Sequence, residues 1–238
     1  MRTGDTMIDK LSTADWTRIS DELNADGHAM IGPVLGSGEC QALSEAYDDE
    51  ERYRSHIHMR RHGFGQGEYK YFSYPLPQAV ARLRTALYPH LAEIANRWER
   101  QLGTDRSYPR DHSEMLKRCH DDGQTRPTPL ILKYGVGDYN CLHQDLYGEH
   151  MFPIQVVVLL SGESDFEGGE FVLTEQRPRM QSRAEVVPLK TGCAVAFAVN
   201  ERPKLGTRGY YRVKQRHGVS RLRAGNRLTL GIIFHDAK

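Results

Sequence analysis

The sequence has no long apolar stretch and few cysteines, and each absence excludes a class of protein. No apolar run among its 238 residues approaches the roughly 20 residues of a membrane-spanning helix, and the opening segment MRTGDTMIDKLSTADW has no apolar signal core. The four cysteines are widely separated and form no Cys-x-x-Cys pair, which is typical of free thiols and argues against a disulfide framework or a zinc site. We therefore expect a soluble, cytoplasmic protein that does not bind membranes.

The net charge and the domain organisation say little about the protein's partners. The net charge is +1, so the overall charge indicates no particular partner. The chain has no internal repeat, no low-complexity tract and no convincing linker, and nothing in it indicates an oligomeric state. We therefore expect one domain, with a helical and irregular layer over residues 1–128 packed on a β core over residues 129–238.

The first half of the chain shows mainly helical patterns. Apolar residues recur at helical spacing in three segments: about 15–23, 38–48 and 78–102. Pro89 lies inside the third segment and is expected to kink it or to begin a second helix. The short apolar segment 27–34 is predicted to be a strand, and the polar, proline-bearing segment 103–128 is predicted to be a long surface loop.

From Pro129 onward, short apolar runs alternate with turn residues. The runs are PLILKYG, MFPIQVVVLLSG, GEFVLTE, EVVPLKTGCAVAFAV, YYRVKQRHGVSRL and RLTLGIIFH. Several short strands at this spacing predict a β sandwich or a jelly-roll barrel. The expected fold class is mainly β with some α, with a jelly-roll (double-stranded β-helix) core and N-terminal helices packed on it.

His143, Asp145 and His217 form a candidate metal site. His143 and Asp145 are one residue apart, so their side chains point the same way on an extended segment. Two imidazoles and a carboxylate can bind one face of an iron(II) ion and leave the other positions open for a co-substrate and dioxygen. The His-x-Asp pair alone is weak evidence for a metal site, because the chain has 11 histidines and 31 acids. The alternative is a loop histidine beside an aspartate that caps a helix. His217 strengthens the metal-site interpretation, because a sheet can bring a later strand to the pair.

A family resemblance starts from Arg227, ten residues after His217. The order His-x-Asp, distal His, then Arg resembles that of the iron(II)/2-oxoglutarate-dependent dioxygenases. The segment FEGGEFVL resembles a Gly-Gly hairpin of their prolyl-hydroxylase-like branch. The segment YGVGDYNCLHQD resembles the approach to the first ligand in that branch, although one extra residue between Tyr139 and His143 leaves the role of Tyr139 open.

A closer resemblance extends over most of the chain. It is carried by segments such as GFGQGEYKYFSYPLP, HQDLYGEHMFPIQVVVLLS and GTRGYYRVKQRHGVSRLRAGNRLTLGIIFHD. They look like a bacterial oxygenase family described as oxidatively demethylating damaged nucleic acid. This resemblance implies decarboxylation of 2-oxoglutarate by dioxygen, coupled to hydroxylation of a substrate C–H bond that can belong to an N-methyl group.

The resemblance also implies a role for each site residue. His143, Asp145 and His217 would hold iron(II), and Arg227 would bind the far carboxylate of 2-oxoglutarate through its planar fork. Thr229 and Tyr134 are candidates to add hydroxyl groups to the same co-substrate. For these two residues a purely structural role is an equal alternative.

The segment from Arg202 to Arg227, both included, contains nine lysines and arginines and no acids. Because this segment brackets His217, we expect its charge to lie near the metal, where it suits the phosphates of a nucleic acid. An arginine-rich strand pair facing solvent would show the same pattern. The rival functions are hydroxylation of a protein side chain or a free amino acid and, in another class, a non-catalytic metal- or nucleic-acid-binding β-barrel.

The remaining histidines are expected to be structural or solvated. His56, His58 and His62 lie in an arginine-rich stretch without a cysteine or carboxylate at ligand spacing. We expect a basic surface or a substrate lid there rather than a metal site. His150 is expected to have a structural or surface role, and the terminal His235 and Asp236 are expected to be solvated.

Overall fold

Two antiparallel sheets face each other, and helices cover the outer side of the larger one. The structure, a computed structural model, describes residues 11–146 and 148–238. Alternation along the strands of the larger sheet explains the two layers of core. Val156 and Val158 belong to the cluster shared with the helices, whereas Val157 packs with Phe171 and Leu173 of the smaller sheet.

Four α-helices are present in the described part of the chain. They are α1 (Trp16–Asp26), α2 (Ser37–Glu45), α3 (Gln78–Leu102) and α4 (His112–Asp121). Short 3-10 turns cover Ala46–Asp48, Glu50–Arg52 and Met59–His62. Helix α1 ends at Gly27, whose φ of 77° is accessible to glycine without strain and lets its N–H bond to Leu23 O. None of these helices has the length and apolar character needed to cross a membrane.

Seven strands form the larger sheet, in the order β1-β11-β7-β15-β5-β4-β2. Their bounds are β1 (His28–Pro33), β2 (Tyr53–His58), β4 (Glu68–Phe72), β5 (Leu130–Tyr134), β7 (Ile154–Leu159), β11 (Cys193–Ala198) and β15 (Arg227–Ile232). All of their pairings are antiparallel. The first half of the chain therefore supplies three strands of this sheet.

The smaller sheet has the order β10-β9-β13-β6-β3, with β12 also paired to β13. Its strands are β3 (Gly65–Gln66), β6 (Tyr139–His143), β9 (Phe171–Gln176), β10 (Arg183–Val187), β12 (Glu201–Gly206) and β13 (Gly209–Val219). A separate pair joins β8 (Phe166–Gly168) to β14 (Leu222–Gly225).

Several sequence expectations about the first half are wrong. Segment 103–128 contains helix α4, whose His112, Met115 and Cys119 are buried, so it is not simply a surface loop. Helix α3 continues through Pro89, so of the two alternatives for this proline the start of a second helix is wrong, and the kink stays a prediction. The first half is also less helical than its periodicity indicated, because β2, β3 and β4 lie between α2 and α3.

Two expectations about the second half also fail. The segment FEGGEFVL is a corner rather than a hairpin, because β8 pairs with β14 while β9 pairs with β10 and β13. His235 and Asp236 are fully buried instead of solvated. Asp236 accepts a hydrogen bond from Arg84 of α3 at 2.7 Å, which ties the C-terminal segment to the helical layer.

Candidate active site

Strand pairing brings His143 and His217 together. The two residues are direct partners in the antiparallel pair of β6 and β13, and their ring centroids are 4.2 Å apart. Asp145 follows the end of β6 by two residues and is turned toward both rings. The predicted trio is therefore assembled by the sheet, as the sequence analysis required.

The three side chains present one ligand atom each to a common point. Asp145 Oδ1 lies 3.6 Å from His143 Nε2, and Asp145 Oδ2 lies 3.5 Å from His217 Nε2. All three candidate ligand atoms lie within 4.8 Å of one another. A set of two imidazoles and one carboxylate at this separation can hold a divalent metal ion on one side.

The protonation states suit a metal ligand set. His143 Nδ1 donates a hydrogen bond to the Cys141 carbonyl at 2.8 Å, which leaves Nε2 free as a ligand. Burial and the neighbouring His217 lower the pKa of His143, so its imidazole is neutral at pH 7. Burial raises the pKa of the Asp145 carboxyl, but the hydrogen bond and charge of His217 outweigh that effect and lower the pKa to about 2.

Gln155 is a site residue that the sequence analysis missed. Its Nε2 donates to Asp145 Oδ2 at 2.8 Å, and the residue is buried in β7. Because the other five residues of β7 are apolar and equally buried, a glutamine there needs a polar partner. A single amide within the run MFPIQVVVLL was the available signal.

One cavity of about 490 Å³ joins the trio to the other predicted residues. His143, Asp145 and His217 line it together with Tyr134, Arg227 and Thr229. Arg227 and Tyr134 are direct partners across β15 and β5, and Thr229 is two residues along β15 from Arg227. All six predicted site residues therefore meet in one space of a size ordinary for small-molecule sites.

Arg227 is a buried cation that forms no ion pair within the described part of the chain. It is 1% exposed, and its Nη1 makes no hydrogen bond to any described atom. Burial lowers the pKa of Arg227, although a guanidinium keeps its charge in proteins. A buried charge costs stability unless it is paired, so this group is suited to an anionic ligand in the cavity.

Tyr134 and Thr229 are also buried beside this charge, and Tyr139 is not. The Tyr134 ring lies 5.5 Å from the Arg227 guanidinium, and its hydroxyl is buried without a hydrogen bond of ordinary geometry to the described residues. Thr229 is 2% exposed. Tyr139 instead lies against Arg221, with the guanidinium 5.5 Å from its ring, and is not among the described residues that line the cavity.

The basic segment places little of its charge near the trio, and Arg227 is the member that lines the same cavity. Alternation along β13 buries Val213, Gln215 and His217, and leaves Arg212, Lys214 and Arg216 exposed on the opposite face of the sheet. The segment's first residue, Arg202, is fully buried and forms an ion pair with Glu175. Arg212, Lys214 and Arg216 therefore match the alternative of an arginine-rich strand facing solvent, because a strand turns every second side chain to the opposite face.

The histidines outside the trio have identifiable contacts. His150 forms an ion pair with Asp122 and so has the structural or surface role expected of it. His62 stacks on Phe64 at 5.3 Å between ring centroids. His56 and His58 lie beside Glu68, a carboxylate that their sequence neighbourhood did not reveal.

Comparison with known proteins identifies the family. Residues 67–237 match an oxygenase family described as catalysing oxidative methylation of damaged DNA. The chain belongs to this family. This oxygenase is also 48% identical over 167 residues to an uncharacterized Mycobacterium tuberculosis protein, found in strains CDC 1551 and H37Rv, with 70% of the chain and 72% of the relative covered.

Solved structures confirm the expected fold. The oxygenase is similar to a Burkholderia pseudomallei oxidoreductase of the 2OG-Fe(II) oxygenase family, with 14% identity, a TM-score of 0.55 and 94% and 93% of the two chains covered. A Pseudomonas putida prolyl-4-hydroxylase matches with 13% identity, a TM-score of 0.52 and coverage of 94% and 99%. The enzyme is thus an oxygenase on the jelly-roll core of the 2-oxoglutarate oxygenases.

Proposed function

We propose that this oxygenase binds iron(II) through His143, Asp145 and His217, binds 2-oxoglutarate through Arg227, and hydroxylates a C–H bond of its substrate with dioxygen. The observation that carries the proposal is a shared cavity, in which a two-histidine, one-carboxylate set lies with a buried, unpaired guanidinium. The residues fit both groups, because the donor set suits iron(II) and the guanidinium lacks only an anion.

Iron(II) and 2-oxoglutarate would supply the oxidising chemistry when bound: 2-oxoglutarate, dioxygen and the substrate C–H bond would give succinate, carbon dioxide and the hydroxylated substrate. The chain's own residues hold and orient the reactants. Cys141 O keeps the proton of His143 on Nδ1, and Gln155 holds one oxygen of Asp145. The low pKa of Asp145, about 2, keeps its carboxylate ionised at any working pH.

Arg227 provides the anchor for the far carboxylate of 2-oxoglutarate. A guanidinium offers parallel N–H donors that bind a carboxylate at two points, and its burial strengthens this attraction. The hydroxyl groups of Tyr134 and Thr229 lie in the same cavity and are suited to donate further hydrogen bonds to the co-substrate. The apolar walls around them restrict water near the reacting atoms.

For the substrate, we favour an N-methylated base in nucleic acid. The family description names damaged DNA, and three aromatic residues, Phe64, Tyr69 and Tyr71, line the cavity and can contact an extruded base. Phe64, Leu142 and Leu146 line the cavity and are also exposed, so they form its apolar mouth. Hydroxylation of an N-methyl carbon gives an N-hydroxymethyl group, which loses formaldehyde and leaves the demethylated base.

Hydroxylation of a protein side chain or a free amino acid is the second candidate. The observation that favours it is the position of Arg212, Lys214 and Arg216, which face away from the cavity and so offer no phosphate contacts at its mouth.

The free state of the four cysteines supports a reducing compartment, and we propose the cytoplasm as the enzyme's location.

Substrate discrimination is tested by product analysis under identical conditions. Methylated single-stranded DNA, peptides and free amino acids are each incubated with the enzyme, iron(II), 2-oxoglutarate and air. Formaldehyde released from the DNA in step with succinate supports demethylation, whereas a gain of one oxygen atom on a peptide or amino acid supports the second candidate. The variant Arg227→Ala is the negative control, and the exposed Arg216→Ala is its matched positive control.

A further inference from the structure

A second group of metal-ligand side chains lies outside the active site. His56 and His58 are two residues apart on β2, and Glu68 of β4 is the direct cross-strand partner of His58. Residues at i and i+2 of a strand share a face, so both imidazoles project beside the same carboxylate. The three ligand atoms lie within 4.8 Å of one another.

The distances within this group match a small divalent ion. Glu68 Oε2 lies 3.0 Å from His56 Nε2 and 3.5 Å from His58 Nδ1, and the two ring centroids are 4.4 Å apart. In a tetrahedral zinc site with ligand bonds near 2.0–2.1 Å, neighbouring ligand atoms are about 3.3 Å apart. The side chains can therefore close on a zinc ion without moving the strands.

A buried tyrosine orients the carboxylate. Tyr47, which is 2% exposed, donates a hydrogen bond from its hydroxyl to Glu68 Oε1 at 3.1 Å. This contact leaves Oε2 directed at the two imidazoles, as the outer-shell partners of metal ligands do. A carboxylate whose second oxygen accepts a hydrogen bond from a buried side chain has a fixed orientation, which is typical of a preorganised metal site rather than of a chance surface contact.

The lysines around the group do not oppose a cation strongly. Lys70 is bound to Glu50 at 2.6 Å, and Lys133 lies 3.6 Å from Asp48. Each of these two lysines thus has its own acidic partner.

We propose that His56, His58 and Glu68 form a second metal site, which takes zinc with a water molecule in the fourth position. The site is separate from the cavity. Side chains alternate along β4, so Tyr69 and Tyr71 lie on the opposite face from Glu68, and it is these two that line the cavity. The ion joins the edge strand β2 to β4, and so holds in place the strand that forms one wall of the active site.

Zinc binding to a variant without the active-site ligands tests this proposal. In a His143→Ala/His217→Ala background, isothermal titration should give one equivalent of Zn²⁺, and Co²⁺ should give the visible absorption of a four-coordinate ion. Because the background removes the other metal-binding set, the result does not depend on whether iron binds there. Zinc should also raise the melting temperature of this variant.

Variants of the group identify the ligands. His56→Ala and Glu68→Gln in the same background should each weaken zinc binding at least tenfold, whereas His62→Ala, the nearby histidine outside the group, should leave it unchanged. Tyr47→Phe should weaken binding roughly 10- to 100-fold through the loss of orientation. The proposal is overturned if the background variant binds no zinc, or if the His56→Ala/His58→Ala double variant binds it as tightly, with circular dichroism confirming that each variant is folded.

Discussion

Gln155 Nε2 lies 2.8 Å from Asp145 Oδ2, so a buried amide holds the carboxylate of the proposed iron site in its orientation. The replacement Gln155→Leu keeps the bulk but removes the donor. We expect the iron(II) affinity to fall roughly 10- to 100-fold, as is usual when a metal ligand loses its outer partner.

Anaerobic competition with an iron chelator measures this affinity. Gln176→Leu, which removes a glutamine amide from β9 instead, is the control and should have the wild-type affinity. Equal affinities of Gln155→Leu and the wild type would mean that Gln155 has no part in orienting Asp145.

The buried pair of Arg84 and Asp236 should contribute strongly to stability. Both side chains are 1% exposed or less and lie 2.7 Å apart, so Asp236→Ala leaves an uncompensated buried guanidinium. We expect the free energy of unfolding to fall by about 3–5 kcal/mol. Arg82→Ala, which breaks the exposed pair with Glu39, should change it by less than about 1 kcal/mol. Urea denaturation of both variants measures the difference, and similar small losses would refute the assignment.

Stability should decline in acid because of His112. Burial, with Arg84 adding its charge, lowers the pKa of this imidazole to about 4, and its Nε2 donates to Phe234 O at 2.9 Å. Between pH 6.5 and pH 4, His112 is protonated in the unfolded chain but stays neutral in the folded chain. Its contribution to the free energy of unfolding is therefore present above pH 6.5 and is lost toward pH 4. The loss is at most about 3 kcal/mol for this pKa difference.

Urea denaturation between pH 7 and pH 4 measures this dependence. His112→Gln keeps a donor and cannot titrate, so its free energy of unfolding should fall less steeply over the same range. An unchanged slope in this variant would show that other groups cause the acid sensitivity. His235 has its pKa lowered to about 4, also mainly by burial, so some slope should remain.

If nucleic acid reaches the cavity, its phosphates should contact the turn at 59–62 rather than the exposed face of β13. Arg60 and Arg61 are exposed and lead directly into Gly63 and Phe64 at the mouth of the cavity. Arg60→Gln/Arg61→Gln should reduce the slope of log affinity against log salt by about 2. Arg212→Gln/Arg216→Gln should leave this slope unchanged. The reverse result would mean that the nucleic acid binds to the exposed face of β13. Fluorescence anisotropy with single-stranded DNA over a range of salt concentrations provides both slopes.

The sequence revealed the proposed ligands because their geometry follows from local rules. His143 and Asp145 share a face through simple alternation. The strand-like patterns around His217 and Arg227 correctly placed them on strands, which belong to two facing sheets and line the same cavity. The same alternation turns Arg212 and Arg216 away from the metal, which was the alternative for the basic segment. What the local patterns could not show are pairings between distant residues. Examples are Arg84 with Asp236, 152 positions apart, and Glu68 with His56.

Helix α4 was missed for a different reason. Its buried positions, His112, Met115 and Cys119, have helical spacing, but they are few and only one is strongly apolar. The polar residues around them therefore dominated the pattern. Strand β4 was missed for a similar reason. A lysine in a sequence is normally taken as a surface residue, but Lys70 is buried and forms an ion pair with Glu50.

The most direct test of the account is an anaerobic titration of the enzyme with iron(II) and 2-oxoglutarate, followed by visible absorption. We expect a weak charge-transfer band that requires both additions. The band should be absent in His143→Ala, and in Arg227→Ala it should need a 2-oxoglutarate concentration higher by about two orders of magnitude, since a buried charge pair is lost. Exposed Arg223→Ala should behave as the wild type. No band in the wild-type enzyme, with no succinate formed in air, would contradict the proposed iron and 2-oxoglutarate site.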